Sequence, residues 1–180
     1  MAFDLLVKNG WIVDGLGLPA FFGDVAVKDG KIAEVGQIDG SASAKQVIDA
    51  DGQTVAPGFI DCHTHFDAQL TWDPIATSSC WHGITSVVIT NCGFAVAPVK
   101  PEDRDYIMRM LAKVEGMALP ALQQGLRWEW ETYPEYLDAL ASKFPLGVNV
   151  GSLFGHTTAR RYVMGEAASE RAATPEELER

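Results

Sequence analysis

Hydrophobic and polar positions change their period near residue 56, and that change divides the chain into two parts. Over the first fifty-five residues, short apolar runs at 5–7, 11–13, 22–27, 31–35 and 46–48 are punctuated by Asn9-Gly10, Asp29-Gly30 and Asp51-Gly52. Runs of this length between turn dipeptides predict strands, and Lys28-Asp29-Gly30-Lys31 predicts a type I′ hairpin. No helical period of useful length interrupts them. Residues 1–55 thus read as a small β module, whose limited surface calls for packing on the rest of the chain or for strands supplied later.

From residue 56 strand and helix signals alternate. The run 59–62 predicts a first strand. Asp73-Pro74, a carboxylate cap followed by Pro at N1, predicts a helix that Gly83 ends. The β-branched run 84–90 predicts a second strand. Pro101 opens a helix over 101–115, in which Tyr106, Ile107, Met110, Leu111 and Val114 form an i, i+3/i+4 packing stripe. The segment 117–130 reads either way, with Trp128-Glu129-Trp130 as a rim over a pocket or as cover for the core. Thr132 and Glu135 have capping-box spacing for a helix to about residue 144, Pro145 stops it, and 146–150 supply a third strand. Residues 159–164 predict a short helix. Thr174-Pro175-Glu176-Glu177 is a strong helix start followed by only three residues, too few for a stable helix. The expectation is the N-terminal part of a longer protein, with about three β/α units over 56–180. Three such units cannot close a barrel and would leave an apolar sheet edge exposed.

Composition narrows the classes. The 180 residues are 47% hydrophobic, enough for a core and against disorder. The formal charge of −10 disfavours nucleic acid or an anionic membrane as partner. No apolar stretch approaches a membrane span, and the first residues carry no basic segment leading into an apolar one, so the default location is the cytoplasm. Three cysteines, an odd number, do not read as a disulfide framework; buried thiol or metal ligand are the alternatives.

The candidate chemistry gathers where the predicted strands end, on the shared rim of a parallel sheet or barrel. His63 and His65 are two apart after a strand-like run, and period-two alternation points both rings from one face. Ringed by Asp61, Cys62 and Asp67, the pair suits a divalent cation, zinc above iron or cobalt. The alternative is ordinary hydrogen bonding by two unliganded histidines. Asp61 and Asp67 could each accept from a ligand imidazole, or serve the strand end through local hydrogen bonds. Cys92, at the end of the second strand with Gly93 behind it, reads as a thiolate ligand or a buried free thiol, and least as a nucleophile. Cys62 faces away by alternation and Cys80 falls in the predicted helix, so both read as apolar filler. His156, after the third strand, could bind a substrate carbonyl or carboxylate, or simply be a satisfied histidine at a helix start. His82, late in its helix, is explained by the carbonyl end it sits on.

With these residues in place the sequence resembles the metal-dependent amidohydrolase superfamily, and within it the D-aminoacylase branch, the N-acyl-D-amino-acid deacylases. The marks are APGFIDCHTHFD at 56–67, WDP at 72–74, HGITSVVITNCGFAVAP at 82–98, VEGM at 114–117, WEWETYPEYLDAL at 128–140 and GHTTAR at 155–160. The resemblance implies the N-terminal part of a (β/α)8 barrel, a TIM barrel, preceded by a small β-sandwich whose strands come from both chain ends. It implies one or two zinc ions, with His63, His65 and Cys92 as ligands and His156 in substrate binding. It also implies hydrolysis of a small N-acylated D-amino acid to a carboxylate and a D-amino acid. The remaining histidine ligands and a proton-shuttling aspartate are implied on later strands, with no counterpart in these 180 residues, so neither Asp61 nor Asp67 is read as the catalytic base. Phe66, Thr90 and Thr157-Thr158-Ala159 depart from the branch pattern next to the rim, without removing a ligand. Two other readings compete: a cyclic-amide hydrolase of the dihydroorotase or hydantoinase type, and a non-catalytic metal-binding β/α domain.

Overall fold

A computed structural model describes residues 2–180, and the chain forms two compact units, one ending at Pro57 and the other spanning Gly58–Arg180. The first is a single five-stranded sheet. It contains β1 (Phe3–Ile12), β2 (Phe21–Lys28), β3 (Lys31–Gly36), β4 (Ala44–Asp49) and β5 (Thr54–Val55), ordered β3-β2-β1-β4 with β5 also pairing β1. Asp29 and Gly30 both have positive φ, 51° and 71°, as a type I′ hairpin between β2 and β3 requires. Asn9-Gly10, expected as a turn, is instead a bulge inside the ten-residue β1, where the register to β2 slips between Val7 and Gly10. Asn9 sits at φ 59° with its N–H on Asp24 Oδ1 at 2.9 Å and its side chain on Asp49 Oδ1 at 3.0 Å. The left-handed residue a turn would need is used here to bend a strand.

The second unit carries three parallel strands in sequential order, β6 (Phe59–Thr64), β7 (Ile84–Ile89) and β8 (Asn149–Ser152). The α-helices are α1 (Arg104–Val114), α2 (Leu119–Gly125), α3 (Tyr133–Ser142), α4 (His156–Met164) and α5 (Pro175–Leu178). Sequential parallel order is how a β/α barrel begins; the β7–β8 crossover carries α1, α2 and α3, whereas the β6–β7 crossover has only short 3-10 turns. Ile107 and Leu111 of α1 are buried against Val87 and Ile89 of β7, Leu122 of α2 and Tyr136 of α3 in one apolar core. Two members of the predicted α1 stripe, Tyr106 and Val114, remain exposed. Trp130 is core: it is buried, its ring packs at a tilt with its centroid 4.9 Å from that of Tyr136, and it donates Nε1–H to Val96 O at 2.8 Å. The Thr132–Glu135 capping box forms at α3, and the same device at Thr174–Glu177 opens the one-turn α5. Among the described residues no helix is long and apolar enough to cross a membrane.

Two segments depart from the sequence reading. Residues 73–83 form no α-helix but a loop with a short 3-10 turn at Ser79–His82, preceded by another at Gln69–Thr71. Asp73, expected to cap a helix, folds its carboxylate over the next turn instead. One oxygen accepts from Thr77 N and Gln69 Nε2, both at 2.9 Å, and the other from the Thr77 hydroxyl at 2.9 Å. Local side-chain bonds of this kind compete with helix formation. Cys80 therefore lies in a 3-10 turn, half-buried against the core, and Gly83 at φ 80° still ends the segment as read. The third strand begins at Asn149 rather than 146, because Leu146 and Gly147 turn beneath Pro74, whose carbonyl accepts from Gly147 N at 3.0 Å.

Candidate metal centre

β6 and β7 deliver the candidate donors to one end of the sheet. Thr64 is buried and its hydroxyl donates to Val88 O at 2.9 Å, pinning the end of β6 to β7. That anchor leaves His63 on the opposite, exposed side, with His65 just past the strand, its ring centroid 5.5 Å from that of His63. β7 ends at Ile89, and Thr90 (φ 71°) and Gly93 (φ 79°) turn the chain so that Cys92 faces back toward β6. Gly93 N donates to Thr90 O at 3.0 Å, which closes the turn. His63 Nε2 and Cys92 Sγ are 3.0 Å apart, and one donor atom from each of His63, His65 and Cys92 lies within 4.8 Å of the others.

The donor chemistry fits zinc. Tetrahedral bonds of about 2.0–2.1 Å to nitrogen and 2.3 Å to sulfur put a ligand nitrogen and sulfur roughly 3.6 Å apart. His63 Nε2 and Cys92 Sγ stand somewhat closer than that, at 3.0 Å, so a small opening of their contact admits a cation. Two imidazole nitrogens and one cysteine sulfur are donors that zinc takes in protein sites.

The surrounding residues fall into distinct places. Asp61 accepts from His63 N at 3.2 Å through Oδ1, a bond to the ligand's backbone. Asp67 is buried and accepts from the Thr90 hydroxyl, tying the loop after His65 to the turn that presents Cys92. Burial pushes its carboxyl up to about 6, against the opposing effects of the Thr90 hydrogen bond and nearby His65. Tyr136, fully buried, donates its hydroxyl to Asp67 O at 2.9 Å; burial raises that phenol well above its usual range and keeps it a donor. Cys62 is exposed, and the Asn91 amide donates to its carbonyl at 2.5 Å.

His156 is not one of the three clustered donors. It is the first residue of α4, exposed, and lies against the Cys92 turn: a Cβ placed on Gly93 would stand 3.5 Å from His156 Cβ. Thr157 N donates to Gly93 O at 2.9 Å, so α4 is docked on the turn that carries the thiol. His156 also lines a largely apolar cavity of 430 Å³ with Tyr133, Phe154, Tyr162 and Met164.

Glu115 was missed by the sequence reading. Its Oε2 stands 3.3 Å from His65 Nδ1, and its side chain is 13% exposed. One signal was available: Glu115 closes α1 at the carbonyl end, where a carboxylate opposes the helix dipole and needs a reason to stay.

Imidazole nitrogens and a cysteine sulfur thus gather at the carboxyl ends of neighbouring parallel strands, the rim on which β/α-barrel proteins build their sites. The amidohydrolase family model matches residues 46–180, and the chain belongs to that family. It is 37% identical over 177 residues to a D-aminoacylase of Alcaligenes xylosoxydans xylosoxydans, covering 98% of this chain and 33% of that protein. It is 35% identical over 183 residues to an uncharacterised protein of Mycobacterium tuberculosis, covering 99% of this chain and 29% of that one. Among solved structures it superposes on an N-acyl-D-glutamate deacylase from Bordetella bronchiseptica complexed with zinc and a phosphonate inhibitor. The TM-score is 0.79 at 32% identity, covering 99% of this chain and 34% of that chain. The fold is thus that of the N-terminal part of these barrel hydrolases, and the chain spans about a third of the length of the curated relatives it matches.

Proposed function

We propose that this chain supplies the metal-bearing rim of a zinc-dependent amidohydrolase that cleaves the linear amide of an N-acyl-D-amino acid, releasing a carboxylate and a D-amino acid. The observation that carries the reading is the meeting of His63 Nε2 and Cys92 Sγ at 3.0 Å across two strand ends, with His65 beside them. The relatives named above, an aminoacylase and a zinc-complexed deacylase, support the substrate class. Zinc held there would lower the pKa of a coordinated water toward 7 and polarise the amide carbonyl.

The chain's own residues divide the remaining work. His63, His65 and Cys92 hold one cation or share in two. Asp67 and Asp61 hold the two strand ends in shape, through the Thr90 hydroxyl and the His63 backbone N–H. His156 projects from the start of α4 beside the Cys92 turn and binds the acyl-amino acid from the rim. Further histidine ligands and the aspartate that passes the proton to the leaving amine come from the part of the barrel that the relatives have in addition. On this reading residues 1–55 are a β module and 56–180 the first three β/α units. The 180 residues alone bind zinc weakly and turn over no substrate.

The test measures zinc content and D-amino acid release from N-acetyl-D-amino acids, with the L-isomers and a cyclic amide as comparators. It is run on this chain and on a chain extended to the relatives' length. Turnover by the extended chain alone, lost on Cys92→Ala, is the expected result. Equal turnover by both, or a preference for the cyclic amide, overturns the proposal.

A further inference from the structure

We infer that Glu115 is a positioning residue of the metal centre: it holds His65 in the tautomer with the proton on Nδ1, leaving Nε2 free as a metal donor. The inference rests on the metal-centre reading above and adds to it a residue that neither strand end supplies. Three observations combine. Glu115 Oε2 lies 3.3 Å from His65 Nδ1, within ion-pair reach, and a rotation of the imidazole or the carboxylate aligns the two as a hydrogen bond. The Glu115 side chain is 13% exposed, so the imidazole, and not bulk water, is the polar group at hand. It also sits at the carbonyl end of α1, where the helix itself disfavours it, so the contact with His65 is what the position offers.

The geometry explains why α1 is part of the site without presenting a ligand. His65 lies just beyond the last residue of β6, after the Thr64 hydroxyl bond that pins the strand end to β7. Gly116, at φ 67°, turns the chain away immediately after Glu115. The carboxylate thus ends the helix facing the imidazole, and an acceptor on one ring nitrogen sets both the tautomer and the ring angle of the other.

The test uses cobalt(II) as the probe and three proteins: wild type, Glu115→Gln and Glu115→Ala. Binding is followed by the thiolate charge-transfer and d–d absorption. The tautomer of His65 is read from ring 15N shifts in the metal-free proteins. Loss of an orienting partner weakens metal binding by about 10–100-fold, so Glu115→Ala is expected to fall in that range. Glu115→Gln, whose amide oxygen still accepts from Nδ1–H, falls less and keeps the tautomer. All three give one spectrum at saturation. Cobalt affinity unchanged in Glu115→Ala, or an unchanged tautomer, overturns the inference while leaving the metal centre intact. An altered saturated spectrum makes Glu115 a ligand and overturns the positioning role. A wild-type protein that binds no cobalt overturns the metal centre instead, and the tautomer comparison then decides on Glu115 alone.

Discussion

The hydroxyl of Tyr136 joins the core to the loop that follows His65, and removing it isolates one hydrogen bond. Tyr136 is 1% exposed, packs 4.9 Å from the Trp130 ring and donates to Asp67 O at 2.9 Å. Tyr136→Phe keeps the ring and opens no cavity, but deprives a buried carbonyl of this donor, at a cost of about 1–3 kcal/mol. Taking about 2 kcal/mol with a urea m-value of about 2 kcal/mol/M, the midpoint falls by roughly 1 M at unchanged m. Tyr136→Ala loses the packing as well and costs about 3–5 kcal/mol. Tyr133→Phe is the control. Its hydroxyl donates to Ser152 O and Leu153 O at 3.1 and 3.2 Å in a more exposed setting, and its loss stays near ~0.5 kcal/mol. Tryptophan fluorescence in urea reads the series, since Trp130 packs against the residue changed. Tyr136→Phe unfolding with the wild-type midpoint, or as early as Tyr136→Ala, would refute the reasoning.

Two further substitutions probe how the second unit is held. Thr132→Ala removes the side chain that accepts from Glu135 N in the α3 capping box and lowers stability by about 1 kcal/mol, measured by urea unfolding; Thr132→Ser restores most of it. Gly58→Ala puts a Cβ within 2.2 Å of the Thr85 side chain, where β6 enters beside β7, and costs about 1–3 kcal/mol by thermal melting. Thr85→Ala in the same chain recovers part of that loss, whereas no recovery would place the strain elsewhere.

Much of this architecture is written in short-range chemistry. The Asp29-Gly30 hairpin, the Thr132 and Thr174 caps and the β-branched run of β7 each rest on neighbours a few residues away, so pattern alone places them. Asn9-Gly10 fails because the same left-handed φ serves a turn or a bulge, and Asp24 and Asp49, far along the chain, decide for the bulge. Asp73 fails because its carboxylate has a second option in Thr77 and Gln69, which a cap reading ignores. At the site, strand-end logic brings His63, His65 and Cys92 to one place because each follows its own strand or turn signal. Glu115 escapes that logic. It reaches His65 from the far end of α1, fifty residues on, and only the place of that helix in the shared core brings them together.

The central claim is a shared cation at the ends of β6 and β7, and zinc-edge X-ray absorption on the zinc-loaded protein tests it most directly. One sulfur at about 2.3 Å with nitrogen at about 2.0–2.1 Å, and loss of the sulfur shell in Cys92→Ser, is the predicted result. A zinc environment of nitrogen and oxygen alone in the wild-type protein would contradict it.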